Sequence, residues 1–451
     1  MTMTAVAALT PARKKQILKV LFISLLLDLI SFTFILPLFP GLLAFYRDLE
    51  VTRSPNPTLL SEILHWLNAY KNSFEKTIND RYDIVLLGGA LGSLFSLCQA
   101  IASPIIGASS DRLGRRTTLL WCMMGNIASV ALWCAAVDFR TFLASRVVGG
   151  LSEGNVQLAL AIASDISSPE ERSGTMAMVG VCFSIAFTFG PALGAALSQV
   201  AIVAANPFAA AAGFSLFLIT TETIYLWYAL PETHSMKKPT TTGAVETTET
   251  RPGEKLERTN SHMVLNAIHF GFILFFSGME FSLPFMTYDL FAYESKQSGR
   301  LLGFIGLVAS LLQGGLTRRM QPLRIVQLGV VACAMAFFVL AQLTTERMLY
   351  LAATLLAITS STVVTGLNSL SSLEAESHNR GSKLGNHRSF GQVGRALGPI
   401  IFCSLYWWAG RESAYLVGGA GMVGIGSLVF AGLKAPKGLE IKHAVESEKT
   451  E

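Results

Sequence analysis

The residues of this chain that could do chemistry are charged and amide side chains set inside long apolar runs. Asp28, Arg146, Glu153, Gln157, Glu280, Arg388, Gln392 and Arg395 all lie in such runs. A charge in the hydrocarbon layer of a membrane is costly, so residues of this kind line a cavity or pair with one another. Two kinds of chemistry fit them. A carboxylate that alternates between a wet and a closed environment can load a proton on one side and release it on the other. A guanidinium stays charged and offers a planar fork matched to carboxylate, sulfate or phosphate. The chain has no Walker-type glycine loop, zinc-ligand spacing or nucleophile elbow. ATP-driven and hydrolytic chemistry are therefore not indicated, and no enzyme activity, cofactor or metal is expected.

Composition says what must position these groups. Of the 451 residues 51% are hydrophobic and only 14% are charged, against about 25% charged in a soluble chain. Too few charges remain to cover a water-facing surface, and an all-α, multi-pass membrane protein follows. A crossing needs about 20 mostly apolar residues. Twelve runs qualify: 17–46, 83–108, 117–137, 139–163, 174–199, 207–230, 264–291, 298–318, 323–343, 347–372, 384–408 and 413–434. The first is read as a retained helix, because no small-residue cleavage pattern follows Arg13, Lys14 and Lys15. Nine Lys and Arg residues in one set of short loops face five in the other. That bias puts both termini in the cytoplasm. The net charge of +5 reflects this anchoring and not nucleic-acid binding.

The expected organisation is a cytoplasmic tail 1–16, an N-terminal six-helix bundle 17–230, a cytoplasmic linker 231–262, a C-terminal six-helix bundle 263–434 and a cytoplasmic tail 435–451. Residues 47–82 form a long non-cytoplasmic loop in which Ile63, Leu64, Trp66 and Leu67 predict a short amphipathic helix. The linker, with Pro239 to Gly243 and a Thr/Glu tract, has little to bury and is expected to be disordered. All six cysteines fall in apolar runs, with no disulfide framework.

Spacing assigns faces. Arg146, Gly150, Glu153 and Gln157 are predicted to share one face of the fourth run, and Arg388, Gln392, Arg395 and Pro399 one face of the eleventh. Arg146 either pairs with Glu153 or faces cargo. Asp28 either serves the cavity or caps a break before Pro37. Arg395 either pairs with Glu280 or stands free for an anion, with Phe272, Phe275 and Phe276 offering apolar contact. Glu222 and Asp289, near run ends, are expected at the membrane interface, and His269 reads as a packing residue. Gly150, Gly154, Gly190 and Gly194 form small-residue ridges for close helix approach, and Pro191 permits a local bend.

The loop between the second and third runs reads Gly107-x-x-x-Asp111-Arg112-x-Gly114-Arg115-Arg116. This resembles the loop-2/3 signature of the major facilitator superfamily. Further resemblances accumulate in Arg146-x-x-x-Gly150-x-x-x-Gly154, in Gly180 to Gly194 around Gly190-Pro191, and in Asp28 followed by Pro37 to Pro40. Together they are similar to the superfamily's drug/proton antiporters, and most of all to its animal tetracycline-transporter-like branch. The corresponding second-half stretch, Gly314 to Arg319, lacks the acid. The resemblance implies two six-helix bundles rocking about a midplane site. It also implies a secondary carrier of small organic molecules, with amphipathic organic anions as expected cargo, and either proton coupling, as antiport, or facilitated passage. Gly107, Asp111, Arg112, Gly114, Arg115, Arg116 and Asp165 would then form a cytoplasmic gate, with Asp111 facing the helix N-terminus near Gly381 and Ser382 and Arg115 pairing with Asp165. Two other readings stay open: a membrane scaffold or sensor without transport, and a passive uniporter of neutral solutes.

Overall fold

The structure is a computed structural model that describes residues 10–35, 38–53, 58–73, 82–169, 171–197, 206–234, 259–293 and 295–436. Among these residues the regular structure is helical: α1 (Pro11–Thr33), α2 (Phe39–Arg53), α3 (Leu59–Asn72), α4 (Tyr82–Leu113), α5 (Arg115–Cys134), α6 (Phe139–Ser152), α7 (Asn155–Ile166), α8 (Arg172–Leu197), α9 (Ala209–Ala229), α10 (His262–Phe291), α11 (Ser295–Leu312), α12 (Pro322–Ala341), α13 (Glu346–Glu374), α14 (Arg380–Ala409) and α15 (Arg411–Gly432). A π-helical turn, Gln313–Thr317, extends α11.

Ten of these helices, α11 with its π turn counted as one, are long and apolar enough to cross a membrane. The other two crossings are the α6–α7 pair and α14. Helix α14 has the length but carries Arg380, Lys383, Arg388 and Arg395. Local chemistry sets the ends. Thr10, Asp138 and Thr345 accept backbone N–H bonds from Arg13, Thr141 and Met348, which caps α1, α6 and α13. Gly114, at φ 98°, makes the reversal between α4 and α5 that a side chain would resist.

Two runs and one loop differ from expectation. The first run, 17–46, is two helices, and α1 starts at Pro11, inside the predicted tail. The fourth breaks at Glu153 and Gly154 into α6 and α7. The described residues of the loop 47–82 are largely helical: α2 continues to Arg53, and α3 packs Ile63, Leu64 and Leu67 on the core while Trp66 stays outside. Residues 235–258 of the expected linker, and 1–9 and 437–451 of the tails, lie outside the described residues.

Burial divides the molecule in two. One core cluster draws on 17–230, with Leu384 reaching in from the other half; a second draws on 265–433. The halves meet along α4 and α14. There Gly107 lies against the Gly381 backbone and Gly385 against Ser103. Within the first half, a Cβ at Gly150 would sit 2.7 Å from the Cβ of Cys98, and one at Gly154 2.7 Å from the sulfur of Cys122. Gly190 rests on Thr33, Gly194 is buried, and α8 runs through Pro191 as a single helix.

Candidate functional site

Asp28 on α1, Asn126 on α5, and Arg146 and Glu153 at the two ends of the last two turns of α6 border one small cavity. Its volume is about 50 Å³, room for a few waters. Ser31, Ser215, Phe32 and Phe95 complete much of its lining. The Arg146 guanidinium lies over the rings of Phe142 and Trp133, 5.5 and 5.9 Å from their centres, and Nε donates weakly to Ser145 at 3.4 Å. No ion pair joins it to Glu153, whose hydrogen-bond donor is Asn126 at 3.5 Å. The cause is the break in the crossing. Glu153 has ψ 80°, which ends α6 there, and Gln157 belongs to α7. Gln157 donates to the carbonyl of Ser103 at 3.0 Å, away from this cavity. The four residues predicted on one face therefore do not share one.

Glu222 is not at an interface. It is 1% exposed, accepts from the Ser24 hydroxyl at 2.6 Å, and its second oxygen bonds nothing among the described residues. Ser24 precedes Asp28 by one helical turn, so α1 and α9 bring two carboxyls to one side of the molecule. The missed signal is the α9 face Ser215, Ile219, Glu222 and Leu226, all buried, with Ser215 bonded to Ser31 at 2.6 Å.

From the other half, α14 presents Arg388, Gln392 and Arg395. The Arg388 Nε and Gln392 Oε1 atoms are buried without hydrogen-bond partners among the described residues. Arg395 does not stand free: its Nη1 lies 3.6 Å from Glu280 Oε2, with the two side chains 46% and 48% exposed. Phe272 and Phe276 stack on each other, Phe272 fully inside the second core, and Phe275 packs against Gly421. Phe32 and Phe95, stacked at 6.2 Å, are the aromatic pair beside the cavity. His269 packs on His387, rings 4.2 Å apart, with its Nδ1 on the His387 carbonyl at 2.9 Å. Among the described residues no three metal-ligating side chains converge.

The Gly114 end of the molecule holds the densest ionic contacts. Asp111 accepts the backbone N–H groups of Gly381 and Ser382, at 2.9 and 2.7 Å, from the first turn of α14. It also pairs with Arg115 at 2.7 Å. The fully buried Arg115 reaches on to Asp165 at 2.9 Å, and Asp165 takes Arg380 of the opposite half at 2.5 Å. A carboxylate at a helix N-terminus and charge-assisted bonds out of water are the strong members of their classes. Arg172 adds a bond to the Ser372 carbonyl across the halves at 3.0 Å. Arg112 is exposed and outside this network. Arg116 turns to the Trp227 carbonyl at 2.6 Å, while Glu232 accepts the backbone N–H of both Arg115 and Arg116. Arg380 was readable in the sequence only as a loop cation; the residues after it point to a helix start, but nothing there points to Asp165.

The far end is bridged as well. Tyr70 of α3 bonds Ser404 of α14 at 2.5 Å, and Leu86, Phe285, Cys403 and Trp407 form a small apolar cluster under it.

Residues 21–399 match the model of the Major Facilitator Superfamily. The chain is 34% identical over 432 residues to Major facilitator superfamily domain-containing protein 10 of Mus musculus, covering 90% of this chain and 91% of that protein. It is 25% identical over 330 residues to Tetracycline resistance protein, class E, of Escherichia coli, covering 70% of this chain and 78% of that one. The crystal structure of the human organic anion transporter MFSD10 (TETRAN) superposes with a TM-score of 0.82 at 31% identity, covering 93% of this chain and 100% of that one.

Proposed function

The chain belongs to the Major Facilitator Superfamily of transporters, and from that premise we propose that it carries amphipathic organic anions across its membrane by alternating access, with a proton as the coupled ion. The observation that carries this reading is the contact between Arg395 and Glu280. At 3.6 Å it is longer than the roughly 2.7–2.9 Å of a charge-assisted hydrogen bond, and both groups are half exposed. Such a pair is weak enough for a cargo carboxylate to replace Glu280 once Glu280 has taken a proton. Arg146 and Arg388 make no ion pair within 4 Å among the described residues. The likeness to a human organic anion transporter supports the same class of cargo. Proton and anion bind together in this scheme, in contrast to the antiport that the sequence resemblance implies.

The two bridged ends supply the gates. In this scheme cargo enters when the halves part at one end. In this reading the Gly114 end and both termini are cytoplasmic, as the distribution of basic residues asks.

The test is uptake into proteoliposomes of a matched substrate pair, a carboxylate and its neutral amide, with and without a pH gradient. Wild type should concentrate the carboxylate and not the amide, and Arg395→Gln should erase the difference. Equal uptake of both by wild type would end the anion reading.

A further inference from the structure

A second recess lies outside the chamber, at the Gly114 end, where α1, α5 and α9 meet. It measures about 220 Å³. Arg13 and Gln16 wall it from the first turns of α1, Arg116 from the first turn of α5, and Trp227 and Tyr228 stand beside it at the end of α9. Its floor is the buried Ile17.

No acid lines it. The nearby acids are committed elsewhere. Glu232 holds four backbone N–H groups, those of Arg115, Arg116, Thr233 and His234. Glu171 is paired with Lys14, and the hydrogen bond from Lys14 keeps its carboxyl below the usual range. Arg13 has no acid within 4 Å among the described residues. Arg116 gives one nitrogen to the Trp227 carbonyl, lies 5.6 Å from that ring's centre, and keeps its Nε buried with no hydrogen-bond partner. Two guanidiniums with donors to spare, at one recess, fit the tetrahedral oxygens of a phosphate.

The surroundings decide the source of that phosphate. Trp227 and Tyr228 are 60% and 84% exposed at the end of an apolar crossing, and such residues collect at headgroup level. Ile224 and Phe217 continue the exposed α9 surface away from the recess, with Trp121 exposed on α5 beside it. This is an outward apolar track of the kind acyl chains cover. We propose that the recess binds the headgroup phosphate of an anionic phospholipid in the leaflet at the Gly114 end, its chains lying along α9 and α5. The inference needs only that the chain crosses a membrane; it is independent of cargo and coupling.

The full-length protein in detergent would be offered equal amounts of phosphatidylglycerol and phosphatidylcholine, with bound lipid counted by native mass spectrometry. Wild type should retain phosphatidylglycerol preferentially. Arg13→Gln, at an exposed position that does not threaten folding, should lower that retention about fivefold, the scale of one cation near an anionic surface. Arg300→Gln, near the opposite end, should leave it unchanged. Equal retention by wild type and Arg13→Gln overturns the proposal. Displacement of the lipid by millimolar inorganic phosphate would also overturn it, assigning the recess to free phosphate instead.

Discussion

In the proposed scheme Glu280 is the residue on which coupling turns. Glu280→Gln mimics the protonated side chain and releases Arg395, so exchange of labelled for unlabelled cargo should persist. Uptake driven by a pH gradient should vanish, and a variant that still concentrates cargo would remove Glu280 from the coupling role. Asp165 is the corresponding residue of the proposed gate, because it holds Arg115 and Arg380 from opposite halves. Breaking a buried ion pair costs on the order of 3 kcal/mol. Asp165→Asn should therefore speed maleimide labelling of a Ser382→Cys reporter more than tenfold; native cysteines add little, since all but Cys134 are buried. An unchanged rate would leave Asp165 structural. At this scale the sequence was informative where a motif fixed spacing, as for Asp111, Arg115 and Asp165. It failed at Glu222, where nearness to the end of a run said nothing about a serine on α1 waiting at hydrogen-bond distance.

The helices of the halves are tuned by glycines of two kinds. Gly150 lets α6 approach α4 within one bundle, whereas Gly107 lets α4 approach α14 across the interface. Their substitutions should separate. Gly150→Ala meets Cys98 and the Phe95 carbonyl in a packed bundle, and overpacking of that kind costs about 1–3 kcal/mol. Its melting temperature should fall by several degrees. Gly107→Ala meets the Gly381 carbonyl, a contact that the proposed cycle breaks whenever the Gly114 end opens. It should melt near wild type but transport far more slowly, and a melting loss equal to that of Gly150→Ala would contradict the distinction. Runs of apolar residues foretold the crossings because hydropathy is averaged over many side chains. The break at Glu153 and Gly154 was hidden because Gly154 is equally suited to packing, and it does pack against Cys122.

Across the whole molecule, two bundles and twelve crossings were legible from run lengths and the family resemblance. The contacts between halves were not, apart from the proposed gate, since α14 meets α4 through glycines and backbone that carry no sequence code for a partner. Bridges at both ends imply that weakening one end should favour closure of the other. Tyr70→Phe removes the hydroxyl that bonds Ser404, a change worth about 1 kcal/mol. Labelling of Ser382→Cys should slow roughly fivefold in that variant, and combination with Asp165→Asn should leave the rate at least about twofold above wild type. Faster labelling in Tyr70→Phe would mean that the ends open independently.

The Glu280–Arg395 contact has an electrical consequence. Empty, the two side chains sum to zero. With a proton on Glu280 and a monovalent anion on Arg395, they and the cargo again sum to zero. Under the proposed scheme the loaded and empty carriers cross the field with equal charge, so voltage neither drives nor opposes the cycle. An unaccompanied anion would meet about 2.3 kcal/mol of opposition per 100 mV, inside negative. Accumulation would instead follow the proton ratio alone, about tenfold for each pH unit across the membrane.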